Sequence, residues 1–143
     1  MELFTLHFDG SCGPKNPGGT AAYGFALEKA GQVIDSGSGI IGTGNAMTNN
    51  LAEFCALAQG FMNFFKVNPD NSFILNVYGD SRLVINIMNG KWRAGSEKKY
   101  YPGYVLANDA LKELRRRGVK VQFDWVPREQ NTKCDDLSKA HNG

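Results

Sequence analysis

Two apolar stretches of strand length, each closing on an aspartate, constrain this chain more than any other feature of its sequence. The first, FTLHFDG, carries Asp9 and runs into the loop SCGPKNPGG; the second, FILNVYGD, ends on Asp80. An ionised carboxylate in a protein interior is costly unless it is hydrogen-bonded, paired with a cation or bound to a metal. Ligand sites in open α/β sheets gather at the carboxyl ends of strands. If the two strands are parallel neighbours, Asp9 and Asp80 lie side by side.

The pattern of the whole chain predicts an α/β fold with a mixed sheet. A strand over residues 2–9 is followed by two strands within 20–41, joined by a tight turn at Lys29–Gly31, which together predict an antiparallel meander. A helix is expected after a cap at Thr48 or Asn49. Its buried face has apolar residues three or four apart: Leu51, Phe54, Leu57, Ala58, Phe61, Met62 and Phe65.

The second half of the chain alternates strands and helices. Residues 68–71 break the first helix, and a strand ending on Asp80 runs directly into a helix that stops near Gly90. A loop is predicted over 91–103, a helix over 104–117 with Gly118 at its end, and a short final helix over 134–140. Between the last two, a strand is expected to present one apolar face, formed by Val119, Val121, Phe123 and Trp125.

Composition predicts a single soluble domain over residues 1–143. The chain is 42% apolar and 21% charged, and it shows neither a membrane-length apolar run nor a signal peptide, so we expect a cytoplasmic protein that does not enter a membrane. Three cysteines (Cys12, Cys55 and Cys134) without CxxC spacing predict reduced thiols. Residues 91–120 carry a net charge of +6 against −4 elsewhere, which indicates either a polyanionic partner or a solvated helix face.

Further acids can join the two aspartates: Glu53 in the first helix, and Asp135 and Asp136 at the start of the last. Each acid also has a simpler explanation. Asp9 would be a turn residue, Glu53 would face solvent, Asp80 would cap a helix, and the last pair would complement a helix dipole. Converging carboxylates, however, repel one another unless a dication neutralises them, and oxygen ligands favour Mg²⁺ or Mn²⁺. Two such ions about 4 Å apart can cleave phosphodiesters by in-line attack of water.

Four segments resemble the successive signature blocks of ribonuclease H type 1, in that family's order and spacing: FDGSCGPKNPGG, TNNLAE, GDSRLVI and WVPREQNTKCDDLS. The resemblance spans residues 4–138. It implies a ribonuclease H-like fold, with a five-stranded mixed sheet whose first three strands are antiparallel and with helices on both faces. It also implies metal-dependent cleavage of the RNA strand of an RNA–DNA hybrid, giving 5′-phosphate and 3′-hydroxyl ends. Its catalytic and metal-binding acids fall on Asp9, Glu53, Asp80 and Asp135, with Asp136 as the variable neighbour and two Mg²⁺ (or Mn²⁺) as cofactors.

Recognition of a hybrid requires sensing of 2′-hydroxyls on one strand. Neutral groups beside the acids suit this task, and we expect substrate contacts from Gly10, Ser11, Cys12, Asn16, Asn49 and Asn50. By resemblance, Asn16 and Asn49 lie beside the RNA strand and Thr48 helps to hold a phosphate of the DNA strand; turn chemistry and helix capping are the alternatives for Asn16 and Thr48. The basic stretch with Lys91, Trp92 and Arg93 resembles an abbreviated form of the family's DNA-gripping protrusion.

The chain departs from many family members in one respect, because the loop PREQNTK lacks a histidine. In this respect the chain resembles the histidine-lacking branch of the family, and we expect Arg128, Glu129 or Gln130 to substitute for the histidine, or metal-bound water to suffice. His7 is expected to be a packed, hydrogen-bonded neighbour of Asp9 rather than a catalytic base, and His141 is a weak substitute for the missing histidine. Two alternative functions are a non-catalytic RNA- or hybrid-binding module and a phosphate-cofactor domain, although GPKNPGG matches no phosphate-binding pattern. An active site built from one chain predicts a monomer.

Overall fold

A computed structural model of the protein describes residues 2–67 and 73–131. Its five strands are Glu2–Gly13 (β1), Thr20–Lys29 (β2), Gln32–Thr43 (β3), Phe73–Gly79 (β4) and Lys120–Trp125 (β5). They form one sheet in the order β3-β2-β1-β4-β5. β1, β2 and β3 pair antiparallel, whereas β4 pairs parallel with both β1 and β5. The predicted five-stranded mixed sheet with an antiparallel meander is confirmed.

Three described helices and one 3₁₀ turn connect the strands: Asn49–Val67 (α1), Arg82–Met88 (α2), Tyr101–Arg116 (α3) and the 3₁₀ turn Arg128–Gln130. α1 packs across β1 and β2, and α3 packs against α1. Aromatic rings pack between the sheet and α1: Phe4 of β1 contacts Phe64 of α1 edge-on, with ring centroids 5.3 Å apart. The break predicted at 68–71 and the helix predicted at 134–140 lie outside the described residues. Among the residues the structure describes, no helix is both long and apolar enough to cross a membrane.

β1 is longer than the sequence predicted, because it does not end at Asp9. Its parallel pairing with β4 stops at His7 opposite Tyr78, while its antiparallel pairing with β2 continues to Gly13. Asp9 therefore lies inside a strand, at the point where β1 leaves β4, and its interpretation as a turn residue is wrong. The β2–β3 turn is as predicted: Ala30 and Gly31 both take positive φ, at 54° and 78°.

Two predicted helix features need correction. α3 begins at Tyr101 rather than after a loop ending at Gly103, because Pro102 occupies its first turn, where a missing N–H leaves no helical bond unmade. On α1, Met62 is 53% exposed, whereas Phe64 is fully buried. α1 is covered by α3 as well as by the sheet, so its buried face is displaced from the stripe read from the sequence.

The apolar face predicted for the last strand also ends one position early. Val121 and Phe123 of β5 are buried, as is Val119 just before it, but Trp125 is 38% exposed. Trp125 is the last residue of β5 and stands opposite Gly79, the last residue of β4. At this edge of the sheet its ring lines a cleft instead of the core.

Candidate functional site

Three carboxylates meet where β1 and β4 separate. Asp9 comes from β1, Glu53 from α1 and Asp80 from the residue after β4, and one oxygen of each lies within 4.8 Å of the others. Continuing the β1–β4 register two residues beyond His7 and Tyr78 brings Asp9 alongside Asp80. Asp9 is 3% exposed and Glu53 is 5% exposed, so the suggestion that Glu53 faces solvent is wrong.

Gly10 fixes the position of Glu53 relative to β1. Its backbone N–H donates a hydrogen bond to Oε1 of Glu53. A Cβ added at this residue would lie 2.5 Å from the carbonyl oxygen of Ala52 and closer still to the backbone nitrogen of Glu53. Only glycine permits this approach of strand and helix, and the approach brings the Glu53 carboxylate to the aspartates.

Asp80 does not cap the helix that follows it. The cap is Ser81, whose hydroxyl accepts a hydrogen bond from the N–H of Val84 at 3.2 Å. The main chain around Asp80 is bonded instead to the end of β5. The N–H of Val126 donates to the carbonyl of Gly79 at 2.9 Å, and the indole Nε1 of Trp125 donates to the carbonyl of Asp80 at 3.0 Å. The Asp80 carboxylate is part of the cluster with Asp9 and Glu53.

This set of donors fits a hard divalent cation. Buried carboxylates so close together repel one another strongly when ionised, and a bound dication removes that repulsion. Carboxylate oxygen is the ligand that Mg²⁺ and Mn²⁺ prefer. Asp9, Glu53 and Asp80 are therefore candidate metal ligands. Asp135 and Asp136 lie outside the described residues.

The cluster opens into a cleft of about 520 Å³. Most of the predicted substrate contacts line it: Gly10, Ser11, Cys12, Asn49 and Asn50. Asn16 is not among these lining residues; it is exposed, and its Oδ1 accepts a hydrogen bond from the N–H of Asn49 at 3.0 Å. Thr48, not Asn49, caps α1 by accepting from the N–H of Leu51 at 3.0 Å. Ser81, Trp125 and Arg128 also line the cleft.

The predicted basic residues form a second, separate cavity of about 470 Å³. Lys91, Trp92 and Arg93 line it together with Tyr101 and Tyr104 at the start of α3. A neighbouring lysine, Lys99, is not among the lining residues, and its Nζ donates to the carbonyl of Asn45 at 2.8 Å. That bond connects the basic segment to the loop that precedes α1.

Sequence reasoning missed two residues of the site. Ser81 was overlooked as a cap, although a serine directly before a helical segment is a common capping signal. Trp125 was assigned to the core because of its period, although a residue ending a strand parallel to the Asp80 strand must lie at the same edge of the sheet. His7 packs against Tyr78 with ring centroids 5.4 Å apart, in agreement with its expected packing role.

Comparison with known proteins places this geometry in a family. The family model of RNase H matches residues 1–142. The curated "Bifunctional protein Rv2228c" of Mycobacterium tuberculosis is 30% identical over 129 residues, which cover 90% of this chain and 32% of that protein. The chain thus spans about a third of the length of the curated relatives it matches.

Solved structures agree in fold. The N-terminal RNase H domain of Rv2228c from M. tuberculosis, fused to maltose binding protein, superposes with a TM-score of 0.81 at 27% identity, covering 98% of this chain and 93% of that one. RNase H1 from the halophilic archaeon Halobacterium salinarum NRC-1 superposes with a TM-score of 0.78 at 25% identity, with 97% of each chain covered. LC11-RNase H1 in complex with an RNA/DNA hybrid superposes with a TM-score of 0.81 at 24% identity, covering 94% of this chain and 92% of that one. The chain belongs to the RNase H family.

Proposed function

We propose that this protein is a metal-dependent endonuclease that hydrolyses the RNA strand of RNA–DNA hybrids and leaves 5′-phosphate and 3′-hydroxyl ends. The observation that carries the proposal is the cluster of Asp9, Glu53 and Asp80 at the floor of an open cleft with a neutral, polar wall. Family membership supports it, as does the likeness to LC11-RNase H1, whose structure was solved with an RNA/DNA hybrid.

The metal ligands in this proposal are Asp9, Glu53, Asp80 and Asp135, holding two Mg²⁺ or, alternatively, Mn²⁺. When bound, the ions supply an activated water and stabilise the leaving 3′-oxygen. The side-chain amide of Asn131, which is buried, supports the fourth ligand, because its Nδ2 donates to the carbonyl of Phe8 at 2.8 Å. Asn131 thus anchors the chain next to Asp9. Asp135 follows only four residues later, so at most about 14 Å of extended chain separates the two positions.

The chain's own side chains divide the work of recognition. The acids orient the phosphate of the substrate only through cations, since without them they repel a polyanion. Ser11, Cys12, Asn49 and Asn50 offer uncharged groups that suit 2′-hydroxyls of the RNA strand. Gly10 has no side chain, so a sugar can approach the backbone there closely.

Two further residues hold this wall in shape. Asn16 fixes the backbone of Asn49, and the Thr48 hydroxyl caps α1, so both contribute to the order of the wall whether or not they also contact nucleic acid. The cavity of Lys91, Trp92 and Arg93 suits the DNA strand, with cations for phosphates and aromatic rings for sugars or bases. All three described carboxylates come from one chain, from which we infer a monomeric enzyme.

The direct test is cleavage of an end-labelled RNA–DNA hybrid in Mg²⁺, alongside DNA duplex, RNA duplex and a chelator. Asp9→Asn should reduce cleavage at least 100-fold without loss of folding. Asp35→Asn, on β3 and away from the cluster, is the matched control and should cleave like the wild type. Cleavage unaffected by Asp9→Asn would refute the metal assignment. Hybrid binding without cleavage by the wild type would favour a non-catalytic module.

A further inference from the structure

Trp125 occupies a position that packing of the core does not explain. It follows two buried residues of β5, Val121 and Phe123, but its own ring is 38% exposed and lines the cleft beside Asp80. A large indole at the edge of a cleft needs a reason other than burial of apolar surface.

The reason lies in the hydrogen bonds at the end of β4. Trp125 pairs with Gly79 in the parallel register, and its Nε1–H donates to the carbonyl of Asp80 at 3.0 Å. The next residue, Val126, donates its N–H to the carbonyl of Gly79 at 2.9 Å. The carbonyls of the last residue of β4 and of the residue after it are therefore bonded to the residue that follows β5 and to the last residue of β5, respectively.

A cation fixes the ring itself. The guanidinium carbon of Arg82 lies 3.9 Å from the centroid of the Trp125 ring, which is within the range of a cation–π contact. Arg82 is the first residue of α2, and Ser81 caps the same helix. Asp80 is thus held by Trp125 through its own carbonyl, and Arg82, at the start of the helix that follows Asp80, contacts the Trp125 ring in turn.

We propose that Trp125 is a positioning residue for the Asp80 carboxylate and that Arg82 acts through it. Its indole N–H holds the main chain of Asp80 so that the carboxylate stays directed at Asp9 and Glu53. A small rotation of that peptide would widen the cluster, whose oxygens lie within 4.8 Å of one another. Groups that orient a metal ligand affect metal affinity even though they do not contact the metal. This inference rests on the proposed role of the cluster as a metal site.

Trp125→Phe is the primary variant, because it keeps an aromatic ring under Arg82 and removes the N–H donor. We expect the Mg²⁺ concentration for half-maximal cleavage to rise about 3- to 10-fold, as for the loss of one hydrogen bond, with KM for the hybrid within 2-fold of the wild type. Arg82→Met should raise the Mg²⁺ concentration for half-maximal cleavage about 2-fold. The double variant should be no worse than Trp125→Phe alone, because Arg82 acts only through the indole.

Two measurements keep the inference independent of cleavage. Calorimetric titration with Mn²⁺ alone should show the same weakening for Trp125→Phe, and it would do so even if the wild type failed to cut hybrids. Thermal unfolding reports whether the variant folds. Arg117→Met is the matched control: it removes a guanidinium from another aromatic ring, that of Phe65 at 4.7 Å, and should leave metal dependence unchanged.

Three outcomes would overturn the positioning role. A lower melting temperature with unchanged metal dependence would make Trp125 merely structural. A rise in KM for the hybrid with unchanged metal affinity would make it a substrate contact. Additive effects of the two substitutions would show that Arg82 does not act through Trp125.

Discussion

Replacement of Gly10 by alanine should damage folding and metal binding together, because the backbones of β1 and α1 approach each other closely at this residue. The added Cβ would lie 2.5 Å from the Ala52 carbonyl oxygen, where ordinary contact begins at 3.4 Å. The atoms it meets belong to the backbone and cannot rotate away. Strand and helix would have to separate by about 1 Å, the difference between these two distances.

The size of the effect follows from two losses. Overpacking of this kind costs about 1–3 kcal/mol. The hydrogen bond from the Gly10 N–H to the Glu53 carboxylate contributes about 1.5–3 kcal/mol more, since its acceptor is charged. A total of about 2.5–6 kcal/mol lowers the melting temperature by about 8–20 °C in a chain of this size. Displacement of the Glu53 carboxylate by about 1 Å should also reduce the rate of hybrid cleavage about 100-fold.

The assay combines thermal unfolding with hybrid cleavage over a range of Mg²⁺ concentrations. Gly13→Ala is the matched control on the same strand, because a Cβ there would meet no described atom within 4 Å. It should leave both readouts close to the wild type. If Gly10→Ala melts and cleaves like Gly13→Ala, the close approach of β1 and α1 does not hold Glu53 in place.

Three other changes test separate parts of the molecule. Hydrogen bonds from Arg116 and then Arg117 lower the pKa of Glu113 from 4.5 to about 2, so the carboxylate stabilises the fold above pH 4.5 and loses that effect as the pH falls toward 2; the difference in melting temperature between wild type and Glu113→Gln should shrink over that window. Ala30 has a positive φ of 54° in the β2–β3 turn, a conformation that asparagine tolerates better than alanine does. Ala30→Asn should therefore raise the free energy of unfolding in urea by about 0.5–1 kcal/mol, and no gain would show that the turn is unstrained. Arg93→Ala should raise KM for the hybrid and flatten its dependence on salt, whereas an unchanged salt slope would remove Arg93 from the phosphate contacts.

The sheet and the carboxylates were predictable because each depends on a local pattern that the fold leaves intact. Strand-length apolar runs predicted β1 and β4, and the helical period placed Glu53 on α1; the shared position of Asp9 and Asp80 followed only on the condition that the two strands are parallel neighbours, which they are. The ends of elements were not predictable in the same way. β1 continues past Asp9 because β2 still pairs with it, and α3 begins early because Pro102 suits a first turn.

The roles of individual side chains depended on contacts between distant segments. Nothing local distinguishes Trp125 from a core residue of β5, since only the pairing with β4 brings its indole to Asp80. The same holds for Asn131, whose bond to Phe8 joins the two ends of the described chain. Met62 was misassigned because α3 covers part of α1 that a single helical stripe does not include.

The division of β1 between two kinds of partner has a consequence for folding. The antiparallel meander of β1, β2 and β3 is made of contacts close in sequence. The parallel β1–β4 pair instead joins strands that are separated along the chain by β2, β3 and α1. Contacts of that second kind form slowly. A chain that has completed only the meander possesses Asp9 without its companion acids. If the proposed nuclease function is correct, activity should appear only when the long-range half of the sheet is in place, and recovery of cleavage on refolding should lag behind formation of the hairpins.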